Sequence, residues 1–151
     1  MTVEEIIKAH KPISLQKKTL LNLSITNQIL TEDFNEVLKP YDLSNEQFNV
    51  LRILRGQENQ ILNMQSIQER MVAKTSNTTR LVDKLLLKDM VTRDVCPSNR
   101  RKVEIKLTGK GFDVLRELDP KIELYDAALS SKLNDAELQL LNNLLDKLRK
   151  S

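Results

Sequence analysis

Asn77, Arg80 and Lys84 recur at intervals of three and four residues, with Thr75, Ser76 and Thr79 beside them. On a helix this spacing puts an amide, a guanidinium and an ammonium on one face, with hydroxyls at its edge. Amide and guanidinium groups make paired hydrogen bonds to base edges, while ammonium and hydroxyl groups bond phosphate. Farther along the chain stand Asn99, Arg100, Arg101 and Lys102. Consecutive cations at the tip of a narrow loop suit the focused negative potential of a DNA minor groove. Either group alone is an ordinary solvated face. Their convergence on one short segment is the chemistry of double-stranded DNA recognition.

Charge is distributed accordingly. The 151 residues carry 24 Lys+Arg and 21 Asp+Glu, a net of +3. Residues 63–107 hold 10 basic and 5 acidic side chains, a net of +5, which leaves 14 basic and 16 acidic elsewhere. A basic stretch within a near-neutral scaffold is the footprint of a nucleic-acid surface. Other chemistries lack their parts. His10 and Cys96 are single, which excludes an intramolecular disulfide and a four-ligand Cys/His zinc site within one chain. The chain has neither a phosphate-binding glycine loop nor a Gly-x-Ser-x-Gly elbow, so neither an enzyme nor a cofactor is expected. No run approaches the roughly 18 apolar residues of a membrane span. The first residues lack an apolar signal core, so a cytoplasmic protein without membrane contact is expected.

Helical periodicity predicts the elements that must position these groups. Thr2 and Glu5 form a capping box for a helix over 3–8. A long helix over 13–39 carries Leu20, Leu23, Leu30, Phe34 and Leu38, and ends at Pro40. Ser44 with Gln47 caps the next helix, Leu43 and Phe48 staple it, and Gly56 closes it. Ile61 and Leu62 form a short strand, and Asn63 caps a helix bearing Met64, Ile67 and Met71. After a tight turn, Thr75 or Ser76 caps a helix to about residue 89 with Leu81, Val82 and Leu85 inward. Val91, Arg93 and Val95, then Val103, Ile105 and Leu107, alternate with polar residues as two strands around a basic loop, 96–102. Thr108 caps a long helix reaching about 129, bent near Pro120, and Asn134 caps the last. There Leu138, Leu141, Leu145 and Leu148 form a heptad-like seam, with Leu140 and Leu144 widening it beyond what one chain can bury. The fold class is therefore mainly α with a small β-hairpin wing. A winged helix-turn-helix over 41–107 is flanked by dimerisation helices over 1–40 and 108–151, all in one compact unit.

Several segments, in order, resemble the multiple-antibiotic-resistance regulator (MarR) family. They are Ser66-Ile67-Gln68-Glu69-Arg70-Met71, then Thr79-Arg80-Leu81-Val82-Asp83-Lys84-Leu85. Met90-Val91-Thr92-Arg93 follows, and after the wing Leu107-Thr108-Gly109-Lys110-Gly111. The resemblance spans residues 15–148. It departs at Asn99, where the family's wing has Asp paired with an Arg here matched by Arg101, and at Asp89, where the family often has Gly. The resemblance implies a homodimeric regulator, a repressor by default, on a pseudo-palindromic operator. It also implies release of DNA by a small lipophilic or phenolic ligand, for which Tyr41, Tyr125 and Phe112 are candidate cleft residues. Two alternatives remain at this stage. One is a winged-helix protein-interaction module without DNA. The other is a redox-sensing regulator using Cys96, whose thiolate the neighbouring Arg93, Arg100 and Arg101 would favour.

Overall fold

Every α-helix among the described residues begins at a side chain that accepts a hydrogen bond from the backbone N–H three residues on. The computed structural model describes residues 1–150. Thr2, Ser14, Ser44, Asn63, Asn77, Thr108 and Asn134 are the seven caps. They open α1 (Val3–Ile6), α2 (Leu15–Leu38), α3 (Asn45–Arg55), α4 (Met64–Arg70), α5 (Thr78–Leu87), α6 (Gly109–Ser130) and α7 (Asp135–Arg149). Thr2, Ser44 and Asn134 form full capping boxes with Glu5, Gln47 and Glu137.

Four boundaries differ from the sequence expectation, the first being the start of α2, at Leu15 rather than at 13. α1 stops at Ile6 rather than at 8, because Lys8 takes a left-handed φ of 52°. Pro40 lies inside a 3-10 turn, Lys39–Tyr41, that follows α2, and Asp42 after it is left-handed at φ 52°. Gly56 caps α3 as expected, with φ −73°, an angle any residue adopts, and the left-handed turn falls later, at Asn59 and Gln60. The cap of α5 is Asn77, not Thr75 or Ser76. All three residue types cap well, but only a start at Thr78 turns that threonine into the core, on the stripe of Val82 and Leu85.

Three strands form one antiparallel sheet in the order β1-β3-β2, with β1 Ile61–Asn63, β2 Val91–Cys96 and β3 Asn99–Leu107. Ile61 faces Lys106, and Val91 faces Leu107. β3 is thus central and contributes the buried Ile105 and Leu107. The polar loop expected over 96–102 is largely strand, and Pro97 and Ser98 alone separate β2 from β3.

The core collects on α3, where Gln47, Phe48, Asn49, Val50, Leu51, Ile53 and Leu54 are all buried. Ile67, Met71, Val82, Leu85, Ile105, Leu115 and Leu118 complete it from the surrounding elements. The terminal helices behave otherwise. α2 buries only Leu38, and α7 buries nothing. Leu20, Ile29, Leu124, Leu140, Leu141, Leu144 and Leu148 stay exposed.

The junction of α5, sheet and α6 is close-fitting. Thr108 donates its backbone N–H to Met90 O at 3.1 Å and its hydroxyl to Asp89 O at 2.6 Å. A Cβ on Gly111 would lie 2.3 Å from Met90 O and 2.7 Å from Leu107 Cδ1. Asp89 itself sits at φ 56°. Gly111→Ala will destabilise the protein by about 1–3 kcal/mol through overpacking. Asp89→Gly will stabilise it by roughly 0.5–1 kcal/mol by relieving the left-handed strain. Urea denaturation of the two variants will show shifts of opposite sign.

Candidate nucleic-acid interface

Gln68 on α4 sets how α5 leaves the turn. Its Nε2 donates to Lys74 O at 2.8 Å, and its Oε1 accepts from the Thr78 hydroxyl. Met71, fully buried, anchors the turn from within. α5 then turns Thr79, Arg80, Asp83, Lys84 and Leu87 to the outside. Asn77 is exposed, and its Oδ1 accepts the Arg80 N–H at 3.1 Å, so its amide NH2 remains to face outward. Thr75 is exposed ahead of the cap. Ser76 is different. Its Oγ is buried and has no partner among the described residues, so the hydroxyl assigned to this surface from the sequence is turned inward.

The wing has a geometry that alternation did not reveal. Val95 pairs with Val103, while Cys96 pairs with Asn99. Arg100, Arg101 and Lys102 therefore have no opposing residues and form a bulge, exposed on the hairpin. Asn99 Oδ1 accepts the Arg101 N–H at 3.0 Å and shapes this bulge through the backbone. The Cys96 Sγ lies 3.2 Å from Ser98 Oγ at the turn. Arg93, expected beside the thiol, instead reaches Asp83 on α5 at 2.7 Å, a pair that ties β2 to the outer helix.

Pairing sorts the cations. Arg55 holds Asp119 with two bonds of 2.9 Å, Arg93 holds Asp83, and Lys88 lies 3.4 Å from the Asp42 carboxylate. Arg80 and Lys84 on α5, and Arg100, Arg101 and Lys102 on the wing, form no ion pair among the described residues. Among the cations without an ion pair are thus one group on a helix face and one on a hairpin, whose elements are joined by the Asp83–Arg93 bridge.

Behind α5 lies an open cleft of about 680 Å³, between the end of α2, the start of α3, and Lys84 and Lys88. Its walls carry both charges, with Glu36, Asp42 and Glu46 against Lys39, Lys84 and Lys88. The aromatic candidates do not line it. Phe34 stacks between Phe48 and Tyr125 with centroids 5.4 and 5.2 Å away. The Tyr125 hydroxyl donates to Leu30 O at 2.9 Å. Burial, then Asp33 and Asp126, push its phenol above the usual range. Tyr41 lies under Lys121 and Phe112 under Arg116.

Sequence inspection gave Gln68 and Thr78 no role of their own and read Lys88 as a solvated side chain. Thr78 had a signal, since it lies one turn before Val82 on the buried stripe. Lys88 had none, because its partners Asp42 and Gln47 lie 46 and 41 residues away.

The family model described as MarR family matches residues 43–103. The HTH-type transcriptional regulator YpoP of Bacillus subtilis (strain 168) is 31% identical over 145 residues, covering 95% of this chain and 99% of that one. The transcriptional repressor MprA of Escherichia coli (strain K12) is 27% identical over 155 residues, with 97% and 88% covered. Among solved structures, BpsR of Bordetella bronchiseptica superposes with a TM-score of 0.79 at 22% identity, covering 93% of this chain and 99% of that one. That structure concerns regulation of BpsR's DNA binding by 6-hydroxynicotinic acid.

The cap geometry has a direct test. Asn77→Ala will cost about 1 kcal/mol of stability, whereas Asn77→Asp, which keeps an acceptor for the Arg80 N–H, will stay near the parent. Chemical denaturation monitored by circular dichroism distinguishes the two.

Proposed function

The chain belongs to the MarR family, and on that premise we propose that it is a sequence-specific DNA-binding transcriptional regulator, a repressor that binds a pseudo-palindromic operator as a homodimer. The observation that carries this reading is the presence of unpaired, exposed cations on both α5 and the wing, while Lys88 and Arg93 between them are paired to acids. In the proposed complex α5 enters the major groove of each half-site. The Asn77 amide and Arg80 guanidinium read base edges, with Thr79 beside them. Lys84, Thr75 and the free N–H groups at the start of α5 take phosphate. Arg101, presented by Asn99 and flanked by Arg100, enters the adjacent minor groove, and Lys102 takes phosphate there. The protein acts by binding, without a catalytic step, in the cytoplasm.

The leucines left exposed on α2, α6 and α7 support the dimer, because their burial against a second copy supplies what one chain lacks. A small lipophilic or phenolic ligand that biases the spacing of the two α5 helices would release DNA.

Selection of bound duplexes from a random pool will enrich a sequence with two inverted half-sites about one helical turn apart. Failure to enrich any sequence would refute the reading. On the enriched duplex, Arg80→Ala will cost about 1–3 kcal/mol and relax preference at particular positions. Lys102→Ala will weaken all duplexes alike and reduce the salt slope by about one per subunit. Arg101→Ala will lose most on sites with A·T-rich flanks. Sedimentation at micromolar concentration will show a dimer, and a monomer there would contradict the symmetric mode.

A further inference from the structure

Lys88 follows Lys84 by one helical turn, yet the two side chains have different surroundings. The Lys84 ammonium has no ion pair among the described residues, whereas Lys88 turns back onto the junction between α2 and α3. Its side chain is only 23% exposed. The ammonium donates to the backbone carbonyl of Asp42 and to Gln47 Oε1 at 3.0 Å, and stands 3.4 Å from the Asp42 carboxylate. Two hydrogen bonds and one ion-pair contact thus engage the ammonium, which has three N–H donors, and this leaves little for phosphate.

Both acceptor residues are themselves constrained. Asp42 is held left-handed, with its N–H on Lys39 O at 3.0 Å, at the point where α2 hands the chain to α3. Gln47 is buried, and the same Oε1 receives the Ser44 N–H at 3.3 Å. Lys88 therefore joins the end of α5 to the hinge of the long arm. α5 otherwise meets α3 through apolar contacts from Val82 and Leu85, which are not directional. The hydrogen bonds of Lys88 are, and they fix where α5 stands along that contact.

We propose that Lys88 is a positioning residue for DNA recognition: its bond to the Asp42–Gln47 junction sets the place of α5 relative to the α2 arm, and so the half-site spacing that the dimer accepts. The inference rests on the DNA-binding reading above. It assigns no DNA contact to Lys88 itself.

The test uses the full-length protein, the enriched duplex, and duplexes whose half-sites are moved closer or farther by one and two base pairs. The parent will prefer the enriched spacing. Lys88→Met keeps the length of the side chain and removes its donors. It will bind the enriched spacing roughly two- to thirty-fold more weakly, with smaller losses on the shifted duplexes, so the ratio between spacings falls towards one. The salt slope will not change, and Lys88→Arg will restore part of the ratio. The ratio is measured on one preparation, so it does not depend on the folded fraction. If Lys88→Met does not fold, Lys88→Gln, a shorter and neutral donor, will move the ratio in the same direction. An unchanged ratio, or an equal loss on every duplex, overturns the proposal, and a shallower salt slope would make Lys88 a phosphate contact instead. If the parent itself enriches no duplex, the DNA-binding reading fails and this inference falls with it. A parent with a clear spacing preference that Lys88→Met retains overturns this inference alone.

Discussion

Burial on nearly every side of α3 is the constraint on which the rest depends. α3 packs against α2, α4, α5, α6 and β3, and Val50, Leu51 and Leu54 have no exposed surface. Each fully buried leucine contributes on the order of 1.5–3 kcal/mol. A helix so enclosed cannot rotate without exposing one of these contacts. It is therefore the fixed axis about which the elements bearing the candidate contacts are placed. α5 lies on it directly, and the wing is attached through β3 and the Asp83–Arg93 bridge. The only polar residues buried on α3, Gln47 and Asn49, are both bonded: Gln47 to Ser44 and Lys88, and Asn49 to Arg52 and Met71.

What was legible in the sequence followed from short-range rules. Five of the seven caps could be placed because Ser, Thr and Asn satisfy the first free N–H groups of a helix and little else at that spacing does. Ser14 lay inside the helix expected over 13–39 and was missed, because the turn that it opens is exposed and carries no burial pattern to mark the start. The expectation of Thr75 or Ser76 missed Asn77, because placing that cap required knowing that Thr78 is inside and bonded to Gln68. The alternation of Val103, Ile105 and Leu107 was correct because half-buried strands repeat every two residues. The bulge at Arg100, Arg101 and Lys102 was invisible because register depends on both strands at once.

The candidate surface was legible in its residue types and less so in its orientation. Arg80, Lys84 and the wing cations stand exposed as their spacing implied. The Ser76 hydroxyl does not, since it lies just before the cap, where the chain is still turning inward. Lys88 was unreadable for a different reason. A lysine near a helix end looks solvated in any sequence, and only a fold that brings residues 42 and 47 beneath it makes it a structural ammonium. Free and bonded cations of the same type thus alternate along one helix, and tertiary acceptors alone tell them apart.

α7 buries no residue in its own chain, although it is 15 residues long and capped at its start. Isolated helices of about this length are marginal in water. The leucines of α7 are therefore the part of the fold that gains most from being covered, and under the proposed pairing the order of α7 becomes a bimolecular property. By mass action its stability will then rise with the concentration of the protein, while that of the α3 core, complete within one chain, will not depend on it in the same way.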